Sequence, residues 1–267
     1  MKLSLNNIMI FTNGDKNNLP IIFVHGFPYD HTMWDETISA LQEKYYCVTY
    51  DIRGLGQSPE GSGQYTMESF VDDLETIIEE LDLRKPVLCG LSMGGYIALR
   101  AVERMEEKFS AAIFCDTRPE ADGNAAKLKR AGGVKHINDH GAEGFIREFV
   151  KNCFGSKYLS EKKDAYKNLE DYFAKSNPAG VIGCLIAMTG RTDTSEAISK
   201  FKLPALLICG QEDKLTPPEA MKSVAAKISN AKFVIISGAG HMTPIENPEE
   251  FNKAVLSFLS GLSHKTI

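Results

Sequence analysis

The chain has 267 residues, a formal net charge of −5 and a composition of 43% hydrophobic and 24% charged residues, the profile of an ordinary globular protein of one large domain or one domain with a sizeable insertion. Its basic residues are interspersed with acidic ones, which speaks against the clustered Lys and Arg of a nucleic-acid partner. No apolar run approaches the about 20 residues of a membrane span, and residues 1–11, broken by Asn6 and Asn7, make no signal-peptide core, so a cytoplasmic protein without a membrane partner is expected.

Residues 3–11 have β-type composition, and Asn13-Gly14-Asp15 follows as a turn. Ile21-Ile22-Phe23-Val24 is apolar without alternation, which predicts a strand buried on both faces, and it ends at His25-Gly26. A helix is expected over 34–41 and a strand over 46–50, stopping at Asp51-Ile52-Arg53-Gly54. From 66 to 81, Met67, Phe70, Val71, Leu74, Ile77, Ile78 and Leu81 recur at helical spacing behind Thr66 as N-cap, with Ser69 instead of a Glu where a capping box would close. A strand over 86–89, a Gly-rich turn, a helix over 94–107 and a strand over 111–115 follow. Strands alternating with amphipathic helices imply βαβ crossovers and a doubly wound sheet.

The rhythm breaks over about 117–200, where helix-like segments (125–130, 142–153, 164–175 and 179–188) occur without a convincing strand. A stretch of this length is too long for one loop and reads as a helical insertion, which divides the chain into a core of 1–116 and 201–267 and an inserted unit of 117–200. Strands over 206–209 and 233–236 and helices over 218–228 and 248–259 restore the alternation. The six cysteines lack metal-ligand or redox spacing. Cys89, Cys115 and Cys209 fall in or at the ends of apolar runs, where a thiol packs as a small hydrophobe, and no metal is expected.

Gly90-Leu91-Ser92-Met93-Gly94-Gly95 lies between a strand and a helix. A hydroxyl is exposed there only if the chain turns sharply at the serine, so side chains two residues to either side would collide and Gly90 and Gly94 are required. A serine nucleophile needs a base. His241 is the candidate, since it follows the last strand across Ser237-Gly238-Ala239-Gly240 and reaches the carboxyl end of the sheet, where α/β proteins bind ligands. His31, His136, His140 and His264 lie in polar or loop-like stretches and suit surface roles, while His25 reads as a brace for its loop. An acid must orient the imidazole. Asp213, in Gly210-Gln211-Glu212-Asp213 just past a strand, is preferred, with Glu212 pointing elsewhere and Asp116, directly after the 111–115 strand, as its competitor. The backbone N–H groups of Met93 and Phe27 suit an oxyanion hole, and Gly26 lets the chain approach a substrate that Phe27, Met93 and Met242 also border.

His25-Gly26-Phe27-Pro28 with Trp34, Asp51-Ile52-Arg53-Gly54-Leu55-Gly56-Gln57-Ser58, the Ser92 motif, Gly210-Gln211-Glu212-Asp213 and Gly240-His241-Met242 together resemble the α/β-hydrolase fold superfamily. The likeness is greatest to its small esterases, 3-oxoadipate enol-lactonase-like enzymes and cofactor-free haloperoxidase-like proteins, and it spans nearly the whole chain outside 117–200. It implies an eight-stranded, mostly parallel sheet with a helical cap after the sixth strand, and the order nucleophile, acid, base matches Ser92, Asp213, His241. Dehalogenases and epoxide hydrolases of the superfamily carry an aspartate where Ser92 stands, and Leu55 replaces a common His. The resemblance implies cofactor-free acyl transfer on a small ester or lactone. Cleavage of a carbon–carbon bond in a vinylogous diketone, perhydrolysis, or non-catalytic ligand binding are the alternatives.

Overall fold

Two asparagines divide the first β stretch. In the computed structural model, which describes residues 1–61, 63 and 65–263, β1 (Lys2–Leu5) and β2 (Ile8–Asn13) pair as an antiparallel hairpin and not as one strand. Asn6 and Asn7 make its turn with φ of 47° and 68°, the left-handed geometry that a two-residue hairpin loop favours and Asn tolerates.

The core then alternates. β3 (Pro20–Val24) leads through a 3-10 turn, His31–Trp34, to α1 (Asp35–Leu41), and β4 (Tyr46–Tyr50) leads to α2 (Met67–Glu80). β5 (Val87–Leu91), α3 (Met93–Met105) and β6 (Ala111–Cys115) follow. Between β6 and the next strand lie α4 (Asn124–His140), α5 (Ala142–Cys153), α6 (Ser156–Glu161), α7 (Lys163–Phe173) and α8 (Pro178–Thr189). β7 (Ala205–Gly210), α9 (Pro218–Ala225), β8 (Ala231–Ile236), α10 (Thr243–Glu246) and α11 (Pro248–Ser263) complete the chain.

Among the described residues, eight strands form one sheet in the order β1-β2-β4-β3-β5-β6-β7-β8. The β1–β2 and β2–β4 pairs are antiparallel and the others parallel. Every residue of β5, β6 and β7 is buried, which is why these strands are apolar without alternation. Helices cover both faces of the sheet, with α1 packed on α11 and α2 on α3. Trp34 is fully buried between the rings of Phe23 and Phe251. Among the described residues, no helix is long and apolar enough to cross a membrane.

Two local departures from expectation have physical causes. Ser69 does complete a capping box, because its hydroxyl accepts from the Thr66 N–H (3.1 Å) while the Thr66 hydroxyl accepts from the Ser69 N–H (3.0 Å). The first inserted helix runs through Gly132-Gly133 to His140, well past the expected end at residue 130. Gly133 lies under the Phe145 ring, where a Cβ would come within 2.8 Å, so packing against α5 overrides its poor helix propensity. The short α6 was not anticipated.

Replacing Thr66 by Ala removes one arm of the capping box and should cost about 1 kcal/mol. A urea titration should show a lower midpoint with an unchanged slope; an unchanged midpoint would mean the cap contributes nothing to α2.

Candidate active site

β5 ends in a turn that no ordinary sequence could make. Ser92 has φ 55° and ψ −113°, a region in which a side-chain-bearing residue costs about 1–3 kcal/mol. A Cβ at Gly90 would stand 2.3 Å from the Gly94 carbonyl oxygen, and one at Gly94 would stand 2.2 Å from the Val24 carbonyl oxygen. Both glycines are therefore steric requirements, as the sequence suggested, Gly90 against the turn itself and Gly94 against the end of β3. The Ser92 N–H donates to the Cys115 carbonyl (3.0 Å), and the Ser92 carbonyl accepts from the Thr117 hydroxyl (2.9 Å) and the Tyr96 N–H (3.0 Å). The strained residue is tied to β6 and to α3, with its Oγ left free of the main chain.

Three loops converge on that hydroxyl. Ser92 Oγ lies 2.8 Å from His241 Nε2, and His241 Nδ1 lies 2.8 Å from Asp213 Oδ2. His241 and Asp213 are buried, whereas Ser92 is partly exposed. Asp213 also accepts from the Thr216 hydroxyl at Oδ2 (2.6 Å) and from the Leu215 and Thr216 N–H groups at Oδ1 (2.8 and 3.1 Å). Burial alone would raise this carboxyl, but the adjacent His241 and these donors hold it below the ordinary carboxylate value. The result is a buried imidazole whose far nitrogen faces an ionised carboxylate and whose near nitrogen can take a proton from a hydroxyl. β3 neighbours β5 in register, Val24 beside Gly90, so the loop after β3 ends alongside Ser92. A Cβ at Gly26 would stand 3.3 Å from the Ser92 Cβ. Phe27 follows Gly26 in that loop, and Met93, next to Ser92 in sequence, is the first residue of α3.

The family model described as the alpha/beta hydrolase fold matches residues 20–248. The chain belongs to that family. This alpha/beta hydrolase is 23% identical over 244 residues to 3-oxoadipate enol-lactonase 2 of Acinetobacter baylyi, covering 91% of this chain and 90% of that protein. It is 29% identical over 262 residues to the non-heme chloroperoxidase CPO-A1 of Kitasatospora aureofaciens, covering 90% and 92%. Among solved structures, a thermophilic esterase from Thermogutta terrifontis superposes with a TM-score of 0.93 at 29% identity, covering 98% of this chain and 99% of that one.

The competing acid has another partner. Asp116 accepts from the Gly210 N–H at Oδ1 (2.8 Å) and from the Thr243 hydroxyl at Oδ2 (2.6 Å), and has no hydrogen bond to His241 among the described residues. Complete burial and the nearby Asp213 carboxylate push its carboxyl well above the ordinary range. Glu212 points away and accepts from the N–H and hydroxyl of Ser156 (2.8 and 2.7 Å), in line with the expectation for it. His25 braces its loop, with Nδ1 donating to the Gly26 carbonyl and Nε2 accepting from the Ile52 N–H (both 2.9 Å). His31 departs from the surface role expected of it: it is partly buried, stacked on Phe11 and paired with buried Asp51 at 2.7 Å. His136 and His140 lie on α4 with their rings 5.0 Å apart, and His264 lies outside the described residues.

The inserted helices lean on the loop after β3. Phe149 of α5 meets Phe27 edge to face at 5.1 Å, Phe173 of α7 meets Tyr29 at 4.8 Å, and the Tyr172 hydroxyl donates to Asp30 (2.9 Å). Lys127 and Lys129 are exposed, while Arg130 pairs with Asp122 and Arg147 with Glu143, Glu170 and Asp171. Two supporting residues escaped the sequence reading, Thr216 and Thr117. Thr216 had a signal: a Thr three positions after an Asp, ahead of Pro217-Pro218, is a local turn pattern in which both residues hydrogen-bond. Thr117 had none, because its contact with Ser92 spans 25 residues.

Because the folded carboxyl of Asp116 is raised, its contribution to stability is fully present below the unfolded value of about 3.9 and is lost as pH rises through the folded value. Asp116→Asn keeps a carbonyl for the Gly210 N–H and offers an amide to Thr243. The melting temperature of the variant relative to wild type should therefore climb as pH rises above the unfolded value of about 3.9 and into the neutral range. A difference that stays flat or falls across that range would show that Asp116 is an ordinary ionised carboxylate.

Proposed function

We propose that this alpha/beta hydrolase cleaves a small carboxylic ester or lactone through an acyl-enzyme on Ser92. The observation that carries the reading is the continuous hydroxyl–imidazole–carboxylate chain, with both links at 2.8 Å. The esterase and enol-lactonase named above support the substrate class.

In this reading Ser92 Oγ attacks the carbonyl carbon while His241 Nε2 takes its proton. Asp213 accepts from Nδ1–H and stabilises the imidazolium that forms. The carbonyl oxygen, now an oxyanion, accepts from the N–H groups of Phe27 and Met93, and each such donor is worth about 10²–10³ in turnover. Collapse breaks the carbon–oxygen bond to the leaving alcohol, which receives the proton from Nε2. Water then enters, and His241 Nε2 takes one of its protons as the oxygen attacks the acyl carbon. Collapse breaks the bond to Ser92 Oγ, which recovers the proton from Nε2 as the acid leaves. Gly26, Phe27, Met93 and Met242 border the substrate, and the segment 117–200 serves as a cap over a core of 1–116 and 201–267. Phe149 of α5 rests on Phe27, and an aromatic side chain of the inserted helices beside that residue suits an apolar acyl group. Side chains and water supply every proton and nucleophile in this cycle.

Similarity to the Kitasatospora chloroperoxidase favours perhydrolysis as a second reading. It uses the same acyl-enzyme, with hydrogen peroxide in place of water, and would appear as peracid formation when peroxide is added to an ester assay.

Ser92→Ala should abolish hydrolysis of short p-nitrophenyl esters and leave the thermal unfolding curve no less stable than wild type. Asp213→Asn should lower turnover about 10⁴-fold. Asp116→Asn should stay within about threefold of wild type, since Asn keeps an acceptor for the Gly210 N–H and its amide can donate to the Thr243 hydroxyl oxygen, which rotates to accept. An active Ser92→Ala enzyme would remove the nucleophile from this scheme, and the reverse ranking of the two aspartates would transfer the acid to Asp116.

A further inference from the structure

The turn between α5 and α6 meets the His241 loop backbone to backbone. The His241 N–H donates to the Cys153 carbonyl at 2.7 Å. A Cβ at Gly240 would stand 2.5 Å from the Gly155 nitrogen, and one at Gly155 would stand 2.9 Å from the Gly240 nitrogen. Only a glycine facing a glycine lets two chains approach this closely.

Glu246, at the end of α10, fastens this contact. Its Oε1 accepts from the Gly240 N–H and the Met242 N–H, both at 2.9 Å, the main-chain donors of the residues on either side of His241. Its Oε2 accepts from the Gly155 N–H at 2.7 Å. One carboxylate thus satisfies three main-chain donors from two segments that are far apart in sequence. Three N–H donors on one side chain hold it against both segments, so neither the Gly240 nor the Met242 main chain can turn away without breaking a bond to Glu246.

We propose that Glu246 is a positioning residue for His241, holding the imidazole in line with Ser92 by anchoring the main chain of both neighbouring residues, Gly240 and Met242, and linking them to the inserted helices through Gly155. The inference rests on the reading of His241 as the base of an acyl transfer. An imidazole must meet the nucleophile within a few tenths of an ångström, and a small displacement costs rate without weakening substrate binding. Glu246 acts through the main chain, so its loss falls on kcat and not on KM. Reach and acceptance beside His241 decide the ranking: the carbonyl oxygen of a Gln can still accept from the Gly240 and Met242 N–H groups and gives up only the Gly155 N–H, whereas an Asp falls short of all three by one methylene.

The test is steady-state kinetics on a p-nitrophenyl ester for Glu246→Ala, Glu246→Gln and Glu246→Asp, beside wild type and Ser92→Ala. Glu246→Ala should lose about 10²-fold in kcat with KM held within about threefold. Glu246→Gln should lose no more than about threefold, and Glu246→Asp about tenfold. If the Ala variant fails to fold, the order of Gln and Asp decides. Asp at or above Gln in kcat overturns the proposal, as does any series in which only KM moves or kcat stays at the wild-type value. Turnover that survives Ser92→Ala removes the acyl-enzyme reading itself, and the positioning role with it. Turnover that requires Ser92 but ignores Glu246 defeats this inference alone.

Discussion

The turn at Ser92 is the constraint on which the site depends. A residue with a side chain takes up a left-handed φ of 55° there because Gly90 and Gly94 leave room for the chain to double back from β5 into α3. The backbone strain is balanced by hydrogen bonds from the surrounding elements: the Ser92 N–H to β6, and the Thr117 hydroxyl to the Ser92 carbonyl. With the main chain fixed this way, the hydroxyl stands at the carboxyl end of a parallel sheet. The loops after β7 and β8 then bring a carboxylate and an imidazole to it.

The carboxylates near the site illustrate how environment separates groups of one chemistry. Asp213 faces an imidazole and three further donors and is held below its ordinary value, while Asp116, completely buried beside that negative charge, is pushed well above. Their oxygen atoms lie within 4.8 Å of each other, close enough for the ionisation of one to oppose that of the other. Asp116, bridging Gly210 and Thr243, ties the strand that leads to the acid to the segment after the base. Glu212 and Glu246 have a different task, gripping the segment that joins α5 to α6. The inserted helices are therefore fastened to the proposed acid and base loops by carboxylates, and to the loop after β3 by aromatic rings.

Much of this was legible in the sequence. Uninterrupted apolar runs such as Ile21-Ile22-Phe23-Val24 announce strands buried on both faces, and the Gly-x-Ser-x-Gly spacing announces the turn, because both follow from local sterics. Ser92, His241 and Asp213 could be proposed from their positions at strand ends, and those positions converge. What escaped depends on contacts between distant segments. The continuation of α4 through Gly132-Gly133 is decided by the Phe145 ring, and the role of His31 by Asp51, 20 residues away. Glu246 reads as an ordinary acidic residue before a proline until Gly155, 91 residues earlier, is seen to donate to it. The division of the 1–13 stretch into a hairpin is the exception, since Asn6-Asn7 is itself a local turn signal.

The central claim is that Ser92 becomes acylated during turnover. Rapid quenching of the enzyme with excess p-nitrophenyl acetate, followed by mass analysis of its peptides, tests this directly. The account predicts one acetyl group on the peptide containing Ser92, formed at a rate matching the burst of nitrophenol and lost as turnover proceeds. Turnover with no acylated peptide at any quench time, or an acyl group that forms and decays on another residue, would contradict it.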